Sequence, residues 1–277
     1  MRHIGIVDTT LRDGEQAAGM VFSIEEKLQV AQLLDQAGVQ VIEAGIPAMG
    51  GAEKDAITRI AALGLKAQVT TWNRACIADI KHSLDCGVNH VHISAPVSDL
   101  HIQHKLGKNR LWILDNLRKT VQYAQERGCQ VSVGAEDATR AEFDFLVKFL
   151  HTAEELGVNR VRIADTVGIM EPFTTRQFMV DLVKETEVPL EFHAHNDFGL
   201  ATANALAAWL GGAQWISTTV NGIGERAGNT CLSEVVKSLE MLYSLDCGLR
   251  PSKLKALQIY VDDAVHQSLS ASLGNVV

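Results

Sequence analysis

Leu156-Gly157-Val158-Asn159-Arg160-Val161 ends one amphipathic run and opens a β-branched one. Glycine suits the left-handed residue that closes a helix, and the apolar positions after it suit a strand. The same transition recurs in Ala37-Gly38-Val39-Gln40-Val41-Ile42, Cys86-Gly87-Val88-Asn89-His90-Val91, Arg127-Gly128-Cys129-Gln130-Val131 and Gly211-Gly212-Ala213-Gln214-Trp215-Ile216. A repeat of helix, glycine and strand means stacked β-α units and a parallel sheet. Working outward from these copies, strands are expected near 3–9, 39–46, 66–72, 90–96, 130–136, 160–166, 189–195 and 215–221. Helices are expected near 24–37, 52–63, 75–86, 110–127, 141–156, 173–186, 200–210 and 230–244. Ser23 before Ile24-Glu25-Glu26 forms a capping box, and Pro172 fits a first helical turn. Eight such units point to a closed (β/α)8 TIM barrel over residues 1–245. A doubly wound open sheet is the competing α/β arrangement, but no Gly-x-Gly-x-x-Gly follows the first strand.

After Leu245 the pattern stops. Asp246-Cys247-Gly248-Leu249-Arg250-Pro251-Ser252 is a turn-rich break, and residues 253–273 read as one or two further helices. Residues 246–277 are therefore expected to be the start of a helical extension that is cut short.

Composition sets the broad class. The chain has 277 residues, 47% hydrophobic and 21% charged, which suits one large globular domain. With 25 basic and 33 acidic residues the net charge is −8, and no polybasic run gives a nucleic-acid footprint. No apolar run approaches membrane-spanning length, and the N-terminus turns polar too soon for a signal peptide. Cys76, Cys86, Cys129, Cys231 and Cys247 form no Cys-x-x-Cys pair. Such a count reads as reduced thiols used in packing, in a cytoplasmic protein.

In an α/β barrel the chemistry sits at the C-terminal ends of the strands. The seventh strand ends in Glu191-Phe192-His193-Ala194-His195-Asn196-Asp197. Alternate strand residues share a face, so Glu191, His193 and His195 point the same way. A lone histidine there is most often a packed core residue, but His-x-His at a strand end makes half of a metal site. The first strand ends in Asp8-Thr9-Thr10-Leu11-Arg12-Asp13-Gly14-Glu15-Gln16, too polar a run to pack a core. Asp13 completes a two-histidine, one-carboxylate set that leaves open positions on a divalent ion, Mg²⁺, Mn²⁺ or Zn²⁺. Arg12 beside it supplies fixed positive charge where an oxyanion could develop. Glu43, Glu136-Asp137 and Asp165-Thr166 end three other strands. The glycine-rich run 221–229 after the eighth strand reads either as a tight turn or as a loop that lets backbone approach a ligand.

Three of these motifs resemble the signatures of the metal-dependent condensing barrels: residues 8–16, His193-Ala194-His195-Asn196-Asp197, and Gly222-Ile223-Gly224-Glu225-Arg226-Ala227-Gly228-Asn229. That superfamily contains isopropylmalate, homocitrate and citramalate synthases and the hydroxymethylglutaryl-CoA lyases. The lyases carry a cysteine in the loop after strand eight; Glu225-Arg226 resembles the synthases instead. Further stretches, among them Ile46-Pro47-Ala48-Met49-Gly50, Glu136-Asp137-Ala138-Thr139-Arg140-Ala141 and Ala164-Asp165-Thr166-Val167-Gly168, resemble homocitrate synthases of the nitrogen-fixation type.

The resemblance implies a Claisen-type acyltransferase that condenses acetyl-CoA with 2-oxoglutarate to give homocitrate and CoA. It implies Asp13, His193, His195 and Asn229 at the metal, Arg12 and Glu136 in catalysis, and Gln16, Thr166, His101 and Glu225 at the substrates. Lysine-pathway homocitrate synthases carry an arginine where this chain has Ser132. The basic side chains open to the distal carboxylate are then Arg74, His101, Lys105 and Arg140. Family members continue for about a hundred residues, by resemblance, with a second catalytic histidine and a homodimer contact; Val265-His266-Gln267 does not match that motif. Isopropylmalate or citramalate synthase activity, or a non-catalytic metal-binding barrel that needs a C-terminal partner, are the competing readings.

Overall fold

A computed structural model describes residues 4–274. Residue 3 of the expected first strand and residues 275–277 of the expected extension lie outside the described residues. Eight strands run β1 (Gly5–Asp8), β2 (Val41–Glu43), β3 (Gln68–Arg74), β4 (His90–Pro96), β5 (Gln130–Glu136), β6 (Val161–Asp165), β7 (Leu190–Ala194) and β8 (Trp215–Thr218). Each pairs in parallel with the next, and β8 pairs with β1, so the sheet closes. The open-sheet alternative is thereby excluded.

The helices alternate with the strands as α1 (Ile24–Ala37), α2 (Gly51–Ala61), α3 (Ile77–Asp85), α4 (Arg110–Gln125), α5 (Phe143–Glu155), α6 (Pro172–Lys184), α7 (Ala201–Leu210) and α8 (Leu232–Tyr243). Their starts are fixed locally. Ser23 and Glu26 form the capping box of α1, and Asn109, Glu142 and Glu171 accept first-turn amides of α4, α5 and α6. Pro172 opens α6. The five repeat glycines, Gly38, Gly87, Gly128, Gly157 and Gly212, all have positive φ, between 65° and 113°. Apolar faces of strands and helices merge in a shell that includes Leu34, Ile42, Ile57, Ile93, Leu117, Phe149 and Phe192.

The break after Leu245 leads into a single helix, α9 (Pro251–Gly274). It does not stand apart: Leu254, Leu257, Val261 and Ala264 are buried. It lies against α1, and Arg250 N donates to Ala37 O at 2.8 Å. Asn221 Nδ2 donates to Gln258 O at 3.0 Å, which ties α9 to the loop after β8. Among the cysteines, Cys86, Cys129 and Cys247 are buried as packing residues, whereas Cys76 is exposed.

The inside of the barrel is not the usual apolar filling. Arg160, just before β6, and Arg162 within it project inward, and Glu191 of β7 receives Nε of both at 2.5 Å. Arg162 also donates to Glu43 of β2 at 2.8 Å, and Ser217 of β8 donates to Glu191. His90 and His92 of β4, both buried, fill the rest of this layer. Burial alone would raise the Glu43 carboxyl, but Arg12 and Arg162 outweigh it and hold it down at about 2. A like contest, of burial against Arg162 and Arg160, leaves Glu191 far below the usual carboxylate range.

Candidate metal centre and active site

The alternation of β7 carries Glu191 into the ionic layer and His193 one step above it, at the barrel mouth. His195 follows just past the strand. Its backbone bridges to Asn229 in an antiparallel pair. The two rings meet edge to face, centroids 5.0 Å apart, with Nε2 of one 3.3 Å from Nε2 of the other. Asp13 Oδ2 lies 3.2 Å from His193 Nε2. One donor atom from each of Asp13, His193 and His195 falls within 4.8 Å of the others, and all three residues are buried.

This donor set fits a divalent ion. Two imidazole nitrogens aimed at one another and at a carboxylate make a poor hydrogen-bond arrangement but a convergent N,N,O set. Asn229 Nδ2 donates to Asp13 Oδ1 at 3.1 Å, while its Oδ1 is buried without a partner. Burial, reinforced by His193, lowers the His195 pKa to about 3, so the ring is in the neutral, ligating form. Burial pushes the Asp13 carboxyl up, yet Arg12 and then His193 pull it well below the usual range.

Arg12 lies alongside. Its NH1 reaches Asp13 Oδ2 at 2.8 Å and its Nε reaches Glu43 Oε1 at 2.6 Å. Its guanidinium carbon stands 5.9 Å from the Trp72 ring centre. Glu43 is in turn held by Arg162, so the ion chain Arg12, Glu43, Arg162, Glu191, Arg160 runs from the mouth to the barrel floor.

The mouth opens into a cavity of about 310 Å³. Arg12, Asp13, His193 and His195 are among its lining residues, and so are Gln16, His101, Glu136, Thr166 and Glu225. The structure thus brings together every site residue expected from the sequence except Asn229, which sits behind Asp13. Glu136 Oε1 accepts from His101 Nδ1 at 3.0 Å and Lys105 Nζ at 2.8 Å. His101 and Lys105 bound a π-helical turn, His101–Lys105, a form common at functional sites. Thr166 Oγ1 accepts from Asp137 N at 2.8 Å, which leaves its hydroxyl proton free for a ligand. Two of the four basic candidates for a distal carboxylate are spent elsewhere. Arg74 forks onto Asp79, and Arg140 forks onto Asp137.

The glycines of the loop after β8 serve the loop itself. A Cβ on Gly224 would stand 1.9 Å from Asn229 Nδ2, and one on Gly228 would stand 2.1 Å from Gly222 O. The loop therefore closes tightly and aims Asn229 at Asp13. Arg226 latches it across the mouth, forking onto Asp197 at 2.8 and 3.0 Å and donating to Thr166 O at 2.9 Å. Glu225 Oε1 accepts from Arg226 NH1 at 2.5 Å and lies 3.9 Å from His195 Nε2.

The sequence reading missed the layer beneath the mouth: Arg162, His92, Ser94 and Gly134 also line the cavity. A signal existed. Arg160-Val161-Arg162 places two charges at alternate positions of a strand buried on both faces, where apolar residues are the rule.

2-Isopropylmalate synthase 2 of Caldanaerobacter subterraneus subsp. tengcongensis is 49% identical over 256 residues, covering 92% of this chain and 67% of that protein. Homocitrate synthase subunit alpha of Clostridium pasteurianum is 49% identical over 239 residues, covering 86% of this chain and 89% of that protein. The solved HMG-CoA lyase of Bacillus subtilis shares the fold, with a TM-score of 0.85 over 96% of this chain and 95% of its own, at 18% identity. The family model described as HMGL-like matches residues 3–261, and the chain belongs to the HMGL-like family.

Proposed function

We propose that this chain is the catalytic barrel of an acyltransferase that condenses acetyl-CoA with 2-oxoglutarate to give homocitrate and CoA. The observation that carries this reading is the convergence of Asp13, His193 and His195 beside Arg12 at the mouth of a polar cavity. Relatives named isopropylmalate synthase and homocitrate synthase support condensation onto a 2-oxo acid. The motif resemblance to the nitrogen-fixation type favours 2-oxoglutarate among such acids.

Asp13, His193 and His195 would hold the divalent ion, with Asn229 beside them. Bound there, the ion would act as a Lewis acid toward the 2-oxo group. The Thr166 hydroxyl donates to the neighbouring carboxylate. A base removes a methyl proton from acetyl-CoA, and the resulting carbon attacks the keto carbon. Arg12 faces the negative charge that gathers first on the enolate oxygen and then on the alkoxide. Glu136, oriented by His101 and Lys105, is the acid/base group of the barrel. Gln16 and Glu225 border the same cavity at the substrates. Water then cleaves the thioester and CoA leaves. We read the barrel as one half of a homodimer.

A second reading has its own support. The relative called subunit alpha is matched over 89% of its length, which favours a barrel that works with a separate partner chain. The test is CoA release from acetyl-CoA with Mg²⁺, Mn²⁺ or Zn²⁺ and 2-oxoglutarate, 2-oxoisovalerate or pyruvate, alongside calorimetric binding of each acid. Metal-dependent binding of 2-oxoglutarate with CoA release supports the condensing reading, and binding without release supports the partner reading. Absence of any metal-dependent binding sinks both.

A further inference from the structure

Gly134 sits inside β5 with an ordinary negative φ. Glycine weakens a strand interior, and where backbone conformation does not demand it, a close approach usually does. A Cβ at this position would stand 2.6 Å from His92 Nε2 and 3.5 Å from Ser94 Oγ. The missing side chain thus keeps both polar atoms uncovered on the cavity wall. Register pairs Ser94 with Gly134, Gly134 with Arg162, and Ala164 with His193. Ser94, Gly134 and Ala164 are all small, and all line the cavity. Together they form a trough that starts beside the metal ligand His193 and ends over His92 and Arg162. Ala164 and Arg162 are two residues apart on one strand, roughly 6–7 Å, the length of a short dicarboxylate chain.

The donors at the far end are specific. His92 Nδ1 lies 3.0 Å from Ser132 Oγ; with that hydroxyl donating, the ring proton sits on Nε2 and faces the trough. Burial, then the nearby Arg162, push the His92 pKa well below its usual value, so the ring is neutral. Among the described residues neither His92 Nε2 nor Ser94 Oγ has a protein partner. By contrast, each arginine and lysine on the cavity wall already holds a carboxylate: Arg12 with Asp13 and Glu43, Arg162 with Glu43 and Glu191, Lys105 with Glu136, and His101 is turned onto Glu136 as well.

We infer that His92 and Ser94, in the space left by Gly134, read the far carboxylate of the 2-oxo acid and select a 2-oxo dicarboxylic acid over a branched-chain one. The inference rests on the 2-oxo acid site proposed above. A branched alkyl end would strand two donors in a shielded trough, and sites built to hydrogen-bond a group reject analogues that lack it.

The experiment is calorimetric titration of the Mn²⁺-loaded chain with 2-oxoglutarate, pyruvate and 2-oxoisovalerate. It compares the native chain with Ser94→Ala and Gly134→Ala, each checked for fold by circular dichroism. The native chain is expected to bind 2-oxoglutarate at least about tenfold more tightly than the other two. Each substitution is expected to shrink that preference about tenfold. Ser94→Ala removes one oxygen and carries the test even if Gly134→Ala fails to fold. Equal affinities for the three acids, or a preference that Ser94→Ala leaves intact, overturn the inference while the 2-oxo acid reading stands. Binding of none of the three overturns that reading and the inference with it.

Discussion

Arg12 is held from two sides, by Asp13 at 2.8 Å and Glu43 at 2.6 Å, and that grip needs a planar fork. A lysine is a single point of charge and cannot span both. Arg12→Lys is therefore expected to leave metal and 2-oxoglutarate binding nearly intact. CoA release in the active assembly should fall by about a hundredfold or more, the 3–4 kcal/mol scale of a lost oxyanion donor. Retention of over about a tenth of the native rate, less than ~1.4 kcal/mol, would remove Arg12 from that role. Arg12 and Asp13 could be read from sequence because they sit in one short polar run. Glu43 could be seen as a strand end, but not as the group that orients Arg12, since that contact exists only once the barrel closes. His90 makes a separate residue-level case. It is buried with both ring nitrogens unpartnered, and burial followed by Arg160 lowers its pKa to about 3. In the unfolded chain it takes up a proton near pH 6.5, so folding excludes that proton. Its contribution is full above pH 6.5 and is lost as pH falls toward 3. Against His90→Gln, the native chain should lose about 1.4 kcal/mol of relative stability per pH unit across that window. Urea melts at several pH values measure the difference, and parallel pH profiles would contradict it.

At the scale of elements, strands and helices were legible because their signals are local: capping side chains at the starts, glycines at the ends, β-branched residues between. The ionic layer was not, because Arg160, Arg162, Glu43, Glu191 and Ser217 come from four strands and meet only in the closed sheet. Its energetics should be those of a buried network. Glu191→Gln would leave Arg160 and Arg162 facing each other without their shared carboxylate. Loss of one partner from such a cluster costs about 3–5 kcal/mol, to be read as a lower denaturation midpoint with an unchanged slope. A shift under ~1 kcal/mol would mean that the layer is hydrated well enough to behave like a surface. The loop after β8 teaches a related lesson. Its glycines read either as a tight turn or as a close approach to a ligand, and Gly224 and Gly228 are needed where the loop folds onto its own Asn229 and Gly222. Sequence shows that backbone must come close to something there; only the fold says to what.

For the whole molecule, the decisive fact is that Asp13 follows β1 while His193 and His195 come from β7 and its end, so the three donors meet only when the barrel has closed. A bound ion would bind the folded chain and not the unfolded one, and its binding energy would add to stability. The chain should fold without it, since eight β-α units share one continuous apolar shell and α9 packs onto α1. Divalent metal at about a hundred times its dissociation constant should then add ~2.7 kcal/mol. For a barrel of this size, that raises the melting temperature by roughly 5–10 °C. Chelator should return the melt to its starting point. Asp13→Asn keeps the size of the side chain but removes the charged ligand, and His195→Ala removes one imidazole; both should abolish most of the shift. The control is His266→Ala, on the exposed face of α9 and far along the chain from the cluster, which should keep it in full. An equal metal shift in the native chain and in Asp13→Asn would place the ion somewhere other than the convergence of Asp13, His193 and His195.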